Sequence, residues 1–253
     1  VVAGTERVAA VGFYGHVGVW DPATGAATPT DARFATGELT SIAVSTDGWV
    51  TTGSSVGVAQ VYDATLTPVG TVDEGRRRID AVGFVPGTHD LVTALSARVG
   101  QFAFDDSVAR WNGPELAEAF RIAGAGQDVP GCAFFYNRVR FSPDGTLLAH
   151  VRHTFEVELV DVATGMTVHT FPAHGAAVFD IAFDAAGHLV STADDATVRV
   201  WNLADRALVA EYPAAPGGYT SLVPLGNGTL AVTGIVGTVS LVDTLTGAVV
   251  AEL

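Results

Sequence analysis

Short runs in which apolar and polar residues alternate, each closed by Gly, Pro, Asp or Asn, follow one another along the whole chain. Period-two runs bounded by turn residues predict half-buried β-strands. Other runs, such as LVTAL from Leu91 and VSLVD from Val239, are apolar almost throughout, as strands covered on both faces are. One stretch breaks the pattern: PELAEAF, Pro114 to Phe120, predicts one or two helical turns.

The runs recur at a fixed period. Strand-closing pairs stand at Trp20/Asp21, Tyr62/Asp63, Phe104/Asp105, Val160/Asp161, Trp201/Asn202 and Val242/Asp243, spaced by 42, 42, 56, 41 and 41 residues. Ahead of the later pairs stand the hairpin turns VSTDG (from Val44), FVPGTHD (Phe84), FSPDG (Phe141), FDAAG (Phe183) and PLGNG (Pro224). Behind most pairs comes a further turn, as in DPATG from Asp21, DVATG from Asp161 and DTLTG from Asp243. Each unit therefore reads as four antiparallel strands, a to d, that bury their faces only by stacking on neighbours. The 56-residue spacing predicts a 14-residue insertion between Asp105 and Phe141, which would hold PELAEAF and the Gly-rich, aromatic AGAGQDVPGCAFFYN. Long loops in compact domains commonly carry function.

The FSPDG turn, the run STADDATVRVWN and the DVATG turn make the chain resemble the WD40-repeat family over nearly its whole length, most closely from Ala176 to Tyr212. The resemblance implies an all-β propeller of six four-stranded blades over residues 1–253. Superposing Trp20 on Trp201 shifts the numbering by 181 and brings Val1 under Ala182. The first unit is thus expected to lack most of strand a, and a longer parent chain to supply that strand and a seventh blade. The family also ties each blade with a buried series of Asp, His, Ser or Thr and Trp, here Asp195, His174, Ser191 and Trp201. Its favoured binding face carries the d-to-a and b-to-c loops. On that face the resemblance places Phe13, Tyr14, Arg76, Arg77, Arg78, Arg98, Phe134, Phe135, Tyr136, Arg138, His153 and Tyr219, and aromatic and Arg side chains dominate interface energies.

Composition narrows the partners. Thirteen arginines and no lysine stand against 27 acidic residues, a net charge of −14 that repels a phosphate backbone and disfavours nucleic acid. Arginine-only cations amid abundant Ala, Val, Gly and Asp point to a GC-rich bacterial coding sequence. No apolar run reaches the 18 residues of a membrane helix. The chain opens at Val1 without a readable leader, as a piece of a longer protein would. Cys132 stands alone, which fits a reducing, cytoplasmic compartment.

Candidate chemistry is sparse. His174, Ser191 and Asp195 are the residue types of a hydrolytic triad, but no Gly-x-Ser-x-Gly elbow accompanies them. Asp194 and Asp195 are adjacent turn acids that point apart, which is poor geometry for a metal. Cys132 and His153 suggest a thiol nucleophile, although a lone cysteine is more often a small buried hydrophobe. Arg76, Arg77 and Arg78, flanked by Asp73, Glu74 and Asp80, read as a solvated loop or as a site for an acidic peptide or phosphate. No catalytic residue, metal or cofactor is assigned. The expectation is a non-enzymatic scaffold for a protein or peptide partner. Its narrower form is a sensor or regulatory module in a bacterial signalling protein built on a STAND-type ATPase, kinase or transcription regulator. The alternative, a lactonase-like or quinoprotein-like propeller enzyme, needs inward polar ligands from several blades, and no such set is found.

Overall fold

The computed structural model describes residues 8–11, 17–20, 24–28, 38–75, 77–98, 104–122, 139–152, 155–172, 174–214, 219–234 and 237–252. It divides into two compact units, Val1–Asp128 and Val129–Leu253. Among the described residues every regular element is a strand, and each sheet is an antiparallel meander.

The first unit holds three sheets. Three strands, β1 (Val8–Val11), β2 (Val17–Trp20) and β3 (Ala27–Thr28), make the first. The second is β4 (Leu39–Val44), β5 (Val50–Ser54), β6 (Val58–Tyr62) and β7 (Pro68–Asp73). The third is β8 (Arg78–Phe84), β9 (Leu91–Arg98), β10 (Phe104–Asn112) and β11 (Ala117–Ile122). The second unit repeats the scheme with β12 (Val139–Phe141), β13 (Leu147–Val151), β14 (Val157–Asp161) and β15 (Thr167–Phe171). There follow β16 (Val178–Phe183), β17 (His188–Ala193), β18 (Thr197–Asn202) and β19 (Leu208–Pro213). Last come β20 (Tyr219–Pro224), β21 (Thr229–Gly234), β22 (Val239–Asp243) and β23 (Val249–Glu252).

Register makes the repeat explicit. Leu189 pairs with Trp201, and the same position pairs as Val8↔Trp20, Val50↔Tyr62, Leu148↔Val160 and Leu230↔Val242. By this register β1, β2 and β3 occupy the b, c and d positions. In the third sheet the pair is Leu91↔Trp111, so the strand-closing dipeptide is Trp111/Asn112 and the expectation of Phe104/Asp105 is corrected. Phe104 and Asp105 open β10, because the β9–β10 hairpin separates its paired residues by 20 positions where the β17–β18 hairpin separates them by 12. The spacings become 42, 49, 49, 41 and 41, and the single long insertion divides between this hairpin and the segment after β11.

The helical expectation for Pro114–Phe120 is likewise corrected. Residues 113–116 form a turn in which Leu116 N donates to Gly113 O at 3.2 Å, and β11 follows, paired to β10. Both Gly113 (φ 52°) and Leu116 (φ 51°) lie in the left-handed region, which a right-handed helix cannot accommodate.

Within each unit, neighbouring sheets pack face to face. Leu189, Ile181, Trp201 and Ala193 join Val157, Leu159 and Phe171 of the preceding sheet. The opposite face of β16–β19, through Val190, Val198 and Val200, joins Leu222, Leu230, Val232 and Val242 of the following one. Both faces are thus buried, which is why β17 reads as HLVSTA with no charged residue. In the first unit Ile79, Leu91 and Leu95 pack on Ala59, Val61 and Val72 in the same way. Each large side chain so buried contributes about 1.5–3 kcal/mol.

Candidate functional site

The ends of the strands carry one repeated device. In four b-to-c turns a short-range backbone bond closes the chain: Gly57 N to Ser54 O, Phe155 N to Arg152 O, Ala196 N to Ala193 O and Gly237 N to Gly234 O. The closing residue is left-handed each time, with φ of 90°, 67°, 59° and 81°, the turn-plus-bulge geometry of short hairpins. In three of these turns its carbonyl accepts the N–H of the residue that leaves strand d of the same sheet: Glu74 to Gly57 at 2.8 Å, His174 to Phe155 at 3.0 Å, Ala214 to Ala196 at 2.8 Å. These three d-to-a loops are thereby seated on b-to-c turns. At Gly57 the seat is so close that a Cβ would stand 1.9 Å from Gly75 O.

The side chain of the seated residue then reaches into the next sheet. His174 Nε2 meets Ser191 Oγ of β17 at 2.6 Å and Nδ1 meets Asp195 Oδ2 of the β17–β18 turn at 3.0 Å. Asp195 also accepts from Gly175 N (2.7 Å), Thr197 N (3.0 Å) and Thr197 Oγ1 (2.6 Å). Trp201 lies edge-on to the imidazole, ring centroids 6.2 Å apart. The expected His174, Ser191, Asp195 and Trp201 therefore converge, with Thr197 an added member that the sequence reading missed. Burial drives the His174 imidazole below its ordinary value, and Arg199 adds to this against the pull of Asp195. Burial pushes the Asp195 carboxyl upward, but the bonds from Thr197 and Gly175 and the nearby His174 outweigh it and hold it low.

Connectivity here is that of a Ser–His–Asp triad, yet Ser191 is 0% exposed, so no substrate carbonyl can approach its oxygen. The trio can fasten a loop to a blade; it has no access for attacking a substrate.

Glu74 occupies the place of His174 two repeats earlier and was missed by the sequence reading, which set it in a solvated loop. Its side chain is buried; Thr93 Oγ1 of β9 donates to it at 2.8 Å and Arg121 Nη2 of β11 pairs with it at 2.9 Å. Trp111 Nε1 donates to Thr93 Oγ1 at 3.0 Å, and the Arg121 guanidinium lies 5.6 Å over the Trp111 ring. Thr93 and Trp111 hold the register positions of Ser191 and Trp201. At Ala214 the same place is apolar, and its counterparts Val232 and Val242 pack in a hydrophobic cluster instead.

A third buried polar group joins inner strands. Asp180 of β16, 1% exposed, accepts from Arg140 of β12 (2.8 Å), Ile181 N (3.0 Å), Ser221 Oγ (2.9 Å) and Leu222 N of β20 (3.0 Å).

Few of the expected partner-facing residues are placed. Phe13, Tyr14, Arg76, Phe134, Phe135, Tyr136, Arg138 and His153 lie outside the described residues, and of Arg98 only the backbone in β9 is described. Arg77 is half-buried in the loop seated on Gly57. Arg78 is held by Asp80 at 2.8 Å. Tyr219 is 4% exposed and packs between sheets, which corrects its assignment to an accessible face. Among the described residues no three His, Cys, Asp or Glu side chains gather to hold a metal, and no helix is long and apolar enough to cross a membrane.

The family model for the WD domain, G-beta repeat, matches residues 165–202, the span that holds His174, Ser191, Asp195 and Trp201. That span is a WD40 repeat, and the similarity to WD-repeat proteins supports a place for the chain in the WD40-repeat family. It is 24% identical over 164 residues to mouse WD repeat-containing protein 1, covering 57% of this chain and 26% of that protein. It is 28% identical over 151 residues to Actin-interacting protein 1 of Drosophila melanogaster, covering 58% and 22%. Over 78 residues it is 36% identical to human WD repeat and HMG-box DNA-binding protein 1, covering 30% and 7%. These WD40 relatives are long: the chain spans 7% to 36% of the length of the curated proteins it matches. The crystal structure of the computationally designed Ika8 protein superposes with a TM-score of 0.74 at 20% identity, over 98% of this chain and 71% of that one. The fold is a WD40 β-propeller of repeated blades.

Proposed function

We propose that the chain is a protein-interaction platform that binds a protein or peptide partner on the face formed by its d-to-a loops and b-to-c turns. The observation that carries this reading is the seating of those loops. A backbone bond fixes three of them to a left-handed turn, and in two of the three a buried side chain fixes the loop to the next sheet, so these loops are held before a partner arrives. Preorganised loops lose little conformational entropy on binding, which raises affinity without added contact area. The buried trio at His174 has no access for substrate, and that too favours binding over chemistry.

The relatives cited are much longer proteins, which supports the narrower proposal that this platform is the partner-recognition module of a larger protein; that the larger protein acts in signalling is part of the proposal alone. A net charge of −14 steers it toward basic or neutral protein surfaces and away from nucleic acid.

Two exposed aspartates at opposite ends of β18 test the face. Asp194 stands in the b-to-c turn and Asp205 in the c-to-d turn. A partner isolated with the wild-type chain should lose affinity about tenfold or more for Asp194→Arg and bind Asp205→Arg unchanged. Equal binding by both variants, or loss at Asp205→Arg alone, contradicts the assignment.

A further inference from the structure

The two loop-fastening networks differ in one chemical respect. That of β16–β19 is centred on an imidazole, the side chain whose ordinary protonation falls between pH 5 and 8. Its counterpart in β8–β11 is centred on Glu74 and Arg121 and contains no histidine. We infer that the His174 network is an acid-sensitive latch, which releases loop residues 174–177 and turn residues 194–197 on mild acidification while the Glu74 network stays fastened.

Hydrogen bonding supplies the reason. With Nδ1–H donated to Asp195, Nε2 is left to accept the Ser191 hydroxyl at 2.6 Å. A proton added at Nε2 turns that acceptor into a donor, so the Ser191 hydrogen must turn away inside a fully buried site. The charges facing the imidazole are Asp195 of the β17–β18 turn, Arg199 of β18 and Glu211 of β19. Arg199 is paired with Glu211 at 2.9 Å, which mutes both. The preceding sheet offers the Phe155 carbonyl and, against Trp201, the Phe171 ring. Asp195 favours the imidazolium; burial of the ring and Arg199 disfavour it, and burial prevails. A group that takes up its proton more readily when the latch is open favours the open form as pH falls.

In the other network, Glu118 and Glu74 raise the Arg121 guanidinium above its ordinary value despite the opposing effect of burial, so it keeps its charge throughout. The inference does not depend on what the chain binds.

Hydrogen–deuterium exchange on the whole chain at pH 7.5 and 5.5, with labelling times scaled for the chemical exchange rate, tests it directly. Peptides spanning 174–202 should lose protection by up to about tenfold at pH 5.5, the limit for an imidazole of ordinary value near 6.5 that is shielded from protonation only while closed. Peptides from β8–β11 should not change. In His174→Gln, whose amide can donate and accept but does not titrate, the pH dependence of 174–202 should disappear even if protection is lower overall. His188, paired with Asp184 in the same sheet, remains in that variant and serves as its internal control. Equal loss in both sheets, constant protection of 174–202, or an unchanged acid response in His174→Gln would overturn the inference. Should the variant fail to fold, the comparison of the two sheets in the wild-type chain decides it.

Discussion

Replacing Asp180 by alanine should be among the most damaging single changes in the chain, and its cost can be worked out from the groups left behind. Leu222 N and Ser221 Oγ would lose the carboxylate that each donates to. Each polar group orphaned in a buried setting costs about 1–3 kcal/mol. Arg140 is 38% exposed and can turn to water, so its lost pairing adds about 1 kcal/mol at most. Ile181 N loses a contact to its own neighbour's side chain, a small effect. The sum is about 2–7 kcal/mol, a large share of the roughly 5–15 kcal/mol of a typical domain. Urea unfolding of wild type, Asp180→Ala and Arg140→Ala would measure it, with Arg140→Ala expected within about 1 kcal/mol of wild type. Hydrogen exchange should place the loss in β16 and β20. A penalty for Asp180→Ala no larger than that for Arg140→Ala would refute the view of Asp180 as a clamp between inner strands.

Three further outcomes follow from the same contacts. Thr93→Val keeps the side-chain shape but removes the partner of Trp111 Nε1 and of Glu74, and should cost about 1–3 kcal/mol in a chemical melt, with Trp fluorescence altered. Gly57→Ala places a methyl 1.9 Å from Gly75 O at φ 90° and should destabilise by more than about 2 kcal/mol, whereas Ala at the open Gly75 should cost about 1 kcal/mol. The Glu158 carboxyl is held down to about 2 by His150 first, with Thr167 and Arg152 adding to the effect against burial. Its folded value lies below its unfolded one, so its contribution is present above pH 4.5 and is lost as pH falls toward 2. Glu158→Gln should flatten stability over that window, and an unchanged acid limb would contradict it.

The repeat was legible because turn chemistry is local: aspartate and glycine mark hairpins whatever packs on the strands, and the 41- and 42-residue periods survive wherever the hairpins keep their ordinary length. The third sheet misled for the same reason. Phe104/Asp105 falls at the expected spacing, but length added inside the β9–β10 hairpin moves the true closing pair to Trp111/Asn112, and only pairing register reveals it. The His174 network could be read because its residues match a familiar spacing, while the Glu74 network performs the same task with an ion pair that no motif describes. Asp180 gave no signal, since a carboxylate inside an apolar strand is recognisable as a clamp only once the donors of the adjacent strands surround it. Of the expected partner-facing residues, Tyr219 was misjudged because an aromatic next to a loop looks exposed until the neighbouring sheet covers it.

The central claim, that partners meet the seated loops and the turns beneath them, is tested most directly by hydrogen exchange of the chain with and without a saturating partner. Added protection is expected in 55–58, 174–177 and 194–197, and none in the c-to-d turns 63–67, 162–166 and 203–207. Protection confined to the c-to-d turns, or to the outer strands β15, β19 and β23, would contradict it.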